Sequence, residues 1–150
     1  ELSPGEHVLD LYSGAGLFTL PLADAVGAGG RVEAVEGDRR AVKDATHNAK
    51  RYQNILIHNQ GVSQWLSQSK LKTCDVIVLD PPRAGAGAEV INKMVKLTPR
   101  TIVYVACDPA ALARDVALLN DRGYFLEEIT GWDAFPMTHH VESIAKFVSR

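Results

Sequence analysis

The chain has little of what marks several large protein classes. Its two cysteines, Cys74 and Cys107, form no CxxC pair, so neither a disulfide framework nor a metal site is predicted. No apolar run approaches the roughly 18 residues of a membrane span, and no signal peptide is visible, so the expectation is a cytoplasmic protein without membrane contact. Charge of one sign is missing too: 16 Lys and Arg against 18 Asp and Glu leave a formal net charge of -2. Without a basic footprint, any nucleic-acid contact has to come from a local patch or from parts outside this stretch. No repeat, low-complexity tract or linker interrupts the 150 residues, and 46% hydrophobic with 23% charged residues predicts one domain with a real core. The chain starts at Glu1 without Met, directly ahead of its first apolar run, which suggests a domain cut from a longer protein, with a monomer as the default.

What is present alternates. Apolar, β-branched runs recur at 7–12, 31–36, 54–59, 74–80 and 101–107, each short enough for a strand. Helical spacing or helix formers fill 39–53, 87–97 and 109–123 between them. Alternation of this kind, with strands apolar on both faces, predicts a parallel sheet covered by helices in a doubly wound α/β domain. Two further strand-like runs, 125–135 and 142–150, have only a loop near their junction, and read as an antiparallel hairpin on the sheet edge.

Four stretches carry candidate chemistry. In "DLYSGAGLFTLPLA" (10–23) a strand runs through Gly14 and Gly16 into a helix, and Glu36 ends the next strand about 20 residues on, where an acid can hold a ribose diol. The third glycine position of a dinucleotide fingerprint holds Thr19, so a nucleoside without a pyrophosphate fits better. In "VLDPPRAGAG" (78–87), Asp80 closes the fourth strand at the sheet edge where ligands sit, with Arg83 nearby to meet a phosphate or a carboxylate. In "VYVACDP" (103–109), Cys107 ends the fifth strand and abuts a helix capped by Asp108 with Pro109 at its first position, a setting that favours a reactive thiolate. A lone cysteine is more often inert core, as Cys74 at the start of its strand is taken to be. In "DAFPMTHHVES" (133–143), Asp133, His139, His140 and Glu142 crowd a polar loop; adjacent histidines suit a metal poorly, whereas Glu142 has the chemistry of a general base.

Taken together and in this order, "DLYSGAGLFTL", "VEAVE", "LDPPRAG", "VYVACDPAALARD" and "DAFPMTHHVES" resemble the catalytic domain of the RNA uracil-C5 methyltransferases, which make 5-methyluridine in tRNA or rRNA. The resemblance runs from Asp10 to the last strand. It implies a Rossmann-like methyltransferase fold with a mostly parallel seven-stranded sheet, S-adenosyl-L-methionine as cofactor, and RNA as partner. It implies that Tyr12, Gly14, Gly16, Glu36 and Asp80 line the cofactor pocket. Cys107 is then the nucleophile that adds to C6 of uracil, Glu142 the base that removes the C5 proton, and Asp80 a residue that orients ligand or base. The family's N-terminal RNA-binding and central parts are outside this stretch. Three positions depart from the family pattern: Asp108 where many members carry Asn, Leu17 where Asn is frequent, and Gly61 where Asn or Asp meets the adenine end.

Two rivals stay open at this level. "DPP" after the fourth strand also occurs in amino-methylating enzymes, which need no cysteine nucleophile. A nucleotide-binding module without catalysis would tolerate the same departures.

Overall fold

Val76–Leu79 has every side chain buried, which a strand achieves only between two helical layers. It is β4 of a seven-stranded sheet in which β1 is His7–Leu11, β2 Arg31–Glu36, β3 Ile55–Asn59, β5 Thr101–Ala106, β6 Tyr124–Trp132 and β7 Glu142–Ser149. The computed structural model describes residues 1–132 and 141–149. The strand order is β3-β2-β1-β4-β5-β7-β6. The first five strands pair in parallel, and β7 runs antiparallel to both β5 and β6. The predicted edge hairpin is therefore present, with its second strand placed inside its first.

Helices α1 (Thr19–Val26), α2 (Arg39–Asn48), α3 (Val62–Gln68), α4 (Gly87–Met94) and α5 (Pro109–Asn120) link the strands. One face of the sheet sets Leu9, Leu11, Ile77, Leu79 and Ile102 against Trp65 of α3, Ile91 and Met94 of α4, and Leu119 of α5. The opposite face packs Val8, Val32, Val76 and Val78 against Ala23 and Val26 of α1. Leu9, Leu11, Ile77 and Leu79 are fully buried, and each such side chain contributes roughly 1.5–3 kcal/mol over exposure.

Several expected elements are shorter in the structure. Helical formers continue to residue 53, yet α2 ends at Asn48, and the stretch 87–97 divides into α4 and a 3-10 turn, Val95–Leu97. The segment 62–68 forms α3, which its spacing does not announce: only Val62 and Trp65 are buried on it. The fifth strand stops at Ala106, which leaves Cys107 one residue beyond the ladder.

Strands 1 and 4 lie side by side although the chain visits β2 and β3 between them. The connections therefore leave in opposite directions there, and a crevice opens beyond the carboxyl ends of the strands.

Candidate active site

The crevice is built from strand ends. β1 delivers Tyr12 and Ser13, whose amides both donate to Val35 O at 2.9 and 3.2 Å, so the turn after β1 folds back onto β2. Tyr12 takes φ 61, unusual for a non-glycine residue, while Gly14 and Gly16 take φ 56 and 94. A side chain on Gly14 would meet nothing within 4 Å, so it is backbone conformation, not crowding, that calls for glycine there.

Glu36, the last residue of β2, accepts from Gly14 N at 3.0 Å through Oε2 and from Asp38 N at 2.7 Å through Oε1. Its carboxylate is thereby aimed across the glycine turn. Asp38 in turn caps α2 by accepting from Arg40 N and Ala41 N, which fixes the chain leaving the site.

Asp10 is a site residue that the sequence reading passed over. It is fully buried, with Thr19 Oγ1 donating to Oδ2 at 2.5 Å. Its Oδ1 and the Oγ of Ser13 have no hydrogen-bond partner among the described residues. Burial pushes its carboxyl up to about 6, with the Thr19 hydrogen bond offsetting part of the rise and the charges of Asp80 and Glu36 adding to it. The signal was an acid inside the apolar run "HVLDLY".

Asp80 follows β4, its amide donating to Leu11 O at 3.2 Å. Its side chain is exposed at the rim, yet loss of water around the carboxyl, and then the Glu142 charge, hold it above the usual carboxylate range. Cys107 is half-buried and free. Behind it Asp108 turns its carboxylate toward the helix, accepting from Ala111 N at 2.8 Å, with Pro109 opening α5. Cys107 and Asp108 share a small cleft with Pro81, Pro82 and Arg83.

The antiparallel β7 brings Glu142 to this rim. Ala106 of β5 pairs with Ser143 of β7 as the last rung of the ladder, so Cys107 and Glu142 are the next residues outward on the two strands and belong to the same rim. A parallel strand there would start at the far end of the sheet. Tyr12, Gly14, Gly16, Glu36, Asp80, Cys107 and Glu142 thus all belong to one edge. Leu17 is 77% exposed in the glycine turn, and Gly61 starts α3 without a side-chain cap. Asp133, His139 and His140 lie outside the described residues.

A wider cleft, of about 850 Å³, lies at the other end of the sheet beside Asp24, Arg31, Arg51 and Tyr52 and holds none of the rim residues. Cys74 is buried and keeps its expected core place; burial, and then the charges of Asp75 and Glu33, push its thiol up to about 12. Among the described residues no group of three or more His, Cys, Asp or Glu is placed to hold a metal ion, and no helix is long and apolar enough to cross a membrane.

The strand order and the glycine-and-acid rim define a Rossmann-like methyltransferase fold. Aeropyrum pernix fibrillarin with natively bound S-adenosyl-L-methionine superposes with a TM-score of 0.80 over 97% of this chain and 67% of its own, at 17% identity, a likeness of fold alone. Residues 3–149 match the family described as tRNA (Uracil-5-)-methyltransferase, and the chain belongs to that family. An uncharacterized RNA methyltransferase of Streptomyces avermitilis is 48% identical over 141 residues, 94% of this chain and 33% of that protein. The 23S rRNA (uracil(1939)-C(5))-methyltransferase of Acinetobacter baylyi is 41% identical over 155 residues, 98% of this chain and 32% of that protein. Among solved structures, the Pyrococcus abyssi tRNA (uracil-54, C5)-methyltransferase in complex with S-adenosyl-L-homocysteine has 33% identity and a TM-score of 0.77, covering 98% of this chain and 35% of its own. The chain spans a third of the length of these three relatives.

Proposed function

We propose that the protein methylates C5 of a uridine in RNA, tRNA or rRNA, with S-adenosyl-L-methionine as methyl donor. The observation that supports the reading is the last rung of the ladder, Ala106 with Ser143, from which Cys107 and Glu142 follow on the same rim as Asp80, Glu36 and the glycine turn. The residues fit the cofactor. Glu36 is held by the Gly14 amide in a pose suited to ribose hydroxyls. Asp10 Oδ1 and Ser13 Oγ beside the same turn are buried polar atoms without a partner among the described residues, and such atoms need one. When bound, the cofactor supplies an electrophilic methyl group on a sulfonium.

The chain's own residues would do the rest. C5 of uracil is a weak nucleophile, and the Cys107 thiolate activates it by adding to C6, which places negative charge on C5 and O4. After C5 has taken the methyl group, Glu142 removes the C5 proton and the electron pair left behind expels the Cys107 thiolate from C6, restoring the ring. Asp80, on the same rim and within reach of the Glu142 charge, orients ligand or base. C5 and C6 must be reached from outside the ring plane, so the uridine has to leave its stack.

The test is the intact mass of the protein after incubation with S-adenosyl-L-methionine and RNA substituted with 5-fluorouridine. Fluorine does not leave as a proton does, so a covalent RNA adduct accumulates on the protein and is absent in Cys107→Ala. No adduct across a set of tRNA and rRNA substrates, with cofactor binding confirmed by calorimetry, would overturn the reading in favour of amino methylation or binding alone.

A further inference from the structure

We propose that Asp115 is a positioning residue that fixes the 81–86 loop, and with it Asp80 and Arg83, against the strand end that carries Cys107. The proposal rests on the function proposed above. Asp115 lies on α5 and is 3% exposed, and Tyr104 on β5 is 1% exposed. Asp115 Oδ2 accepts from Tyr104 Oη at 2.6 Å, from Ala86 N at 2.7 Å and from Gly87 N at 3.3 Å. Tyr104 Oη also accepts from Ala86 N at 3.0 Å. The start of α4 has no capping side chain of its own, so its first amides are satisfied by a carboxylate from a different helix.

That choice is unusual on energetic grounds. A Ser, Thr or Asp at position 86 would cap α4 locally at the amides of positions 88 and 89 and would not reach those of Ala86 and Gly87; a buried carboxylate that does so carries a heavy desolvation cost unless it is fully hydrogen-bonded. What the distant carboxylate adds is a spatial tie. α5 starts one residue after Asp108, and β5 ends one residue before Cys107, so both anchors of the tie belong to the elements that flank the thiol. The loop they hold begins at Asp80 and shares a cleft with Cys107 through Pro81, Pro82 and Arg83. Gly85 records the tightness of the fit. It takes φ +85, and a Cβ there would come within 2.7 Å of Asp115 Oδ2 and 3.4 Å of Tyr104 Oη.

Removing the tie leaves Cys107 at the end of β5 and frees the loop that lines the other wall. A displacement of about 1 Å between reacting groups costs on the order of 100-fold in rate. The experiment compares Asp115→Ala, Asp115→Asn and Gly85→Ala with Val116→Ala, a neighbour on α5 that packs against the core and serves as a control for general destabilisation. The readouts are the rate of covalent adduct formation at saturating 5-fluorouridine RNA and amide hydrogen exchange at Ala86 and Gly87. Asp115→Ala and Gly85→Ala should slow adduct formation roughly 10- to 100-fold and deprotect both amides. Asp115→Asn, which keeps an acceptor oxygen, should restore most of both, and Val116→Ala should change neither. An Asp115→Ala or Gly85→Ala protein that reacts as fast as Val116→Ala, or keeps both amides protected, would overturn the proposal. Wild-type protein that forms no adduct would sink the proposed function instead, with the amide exchange still deciding whether the tie exists.

Discussion

Cys74 and Cys107 share a side chain and little else. Cys74 is 5% exposed two residues ahead of β4, with a thiol raised to about 12 first by burial and then by Asp75 and Glu33. Only the thiolate attacks an electrophile, so this group is silent in the folded protein. Cys107 is half-buried at the opposite edge, past the last ladder bond of β5, where solvent can reach it. Iodoacetamide at pH 8 should therefore add one equivalent to the native chain, mapped to the peptide holding Cys107, and two equivalents in urea. Equal labelling of the two cysteines in the native protein would remove the distinction on which the site rests. Asp108 bears on the same point. The sequence sets a negative charge beside the thiol, but the structure shows its carboxylate engaged as the cap of α5.

At the scale of elements, that cap makes a separable prediction. Asp108→Ala should destabilise the fold by about 1 kcal/mol, the usual cost of a lost N-cap, while Asp108→Asn keeps an acceptor and should melt within a degree or two of wild type. Thermal unfolding followed by circular dichroism decides it, and equal losses in both variants would mean that charge, not capping, is what Asp108 contributes. The cap was legible because Asp followed by Pro is a local signal for a helix start. The parallel strands were legible from their apolar, β-branched runs, most clearly β4, where Val-Ile-Val-Leu buried on both faces states its environment in its own letters. Helix α3 was not, because two buried residues in seven carry no period. Nor could local pattern show that β7 would insert between β5 and β6. That arrangement depends on pairing partners far along the chain, and it is what brings Glu142 to the rim where Cys107 lies. The Asp115 tie was equally hidden, since it joins amides at 86 and 87 to a carboxylate 28 or 29 positions away.

For the molecule as a whole, two buried carboxyls with opposite shifts contribute to the dependence of stability on pH. Glu33 of β2 is 4% exposed. Burial alone would raise it, but His7 and His58, followed by Arg31, outweigh that and take it down to about 2 from 4.5. His58 Nε2 lies 2.7 Å from Oε2, and His7 Nε2 approaches Oε1 at 3.1 Å as a charge contact without an aligned hydrogen bond. This group joins β1, β2 and β3. A folded value below the unfolded one means that its contribution is complete above about 4.5 and is lost as pH falls toward 2. The span corresponds to roughly 3 kcal/mol. Asp10 behaves in the reverse sense. Its folded value of about 6 lies above 3.8, so the native state holds the extra proton, and stability declines as pH climbs from about 4 to about 6, again by roughly 3 kcal/mol. Acting alone, these two groups would favour a stability maximum between pH 4 and 5, below neutrality. Urea unfolding at pH 3, 4.5 and 7.5 should give the highest midpoint at 4.5. Asp10→Asn should bring the midpoint at 7.5 up toward that at 4.5, and Glu33→Gln should lower it at both pH values while flattening the fall toward pH 3. Asp10→Asn should also weaken binding of S-adenosyl-L-homocysteine, because the carboxylate that costs stability is the one with a free oxygen in the site. A midpoint for Asp10→Asn no higher than wild type at pH 7.5 would show that the buried charge is compensated within the fold and is not held in readiness for a ligand.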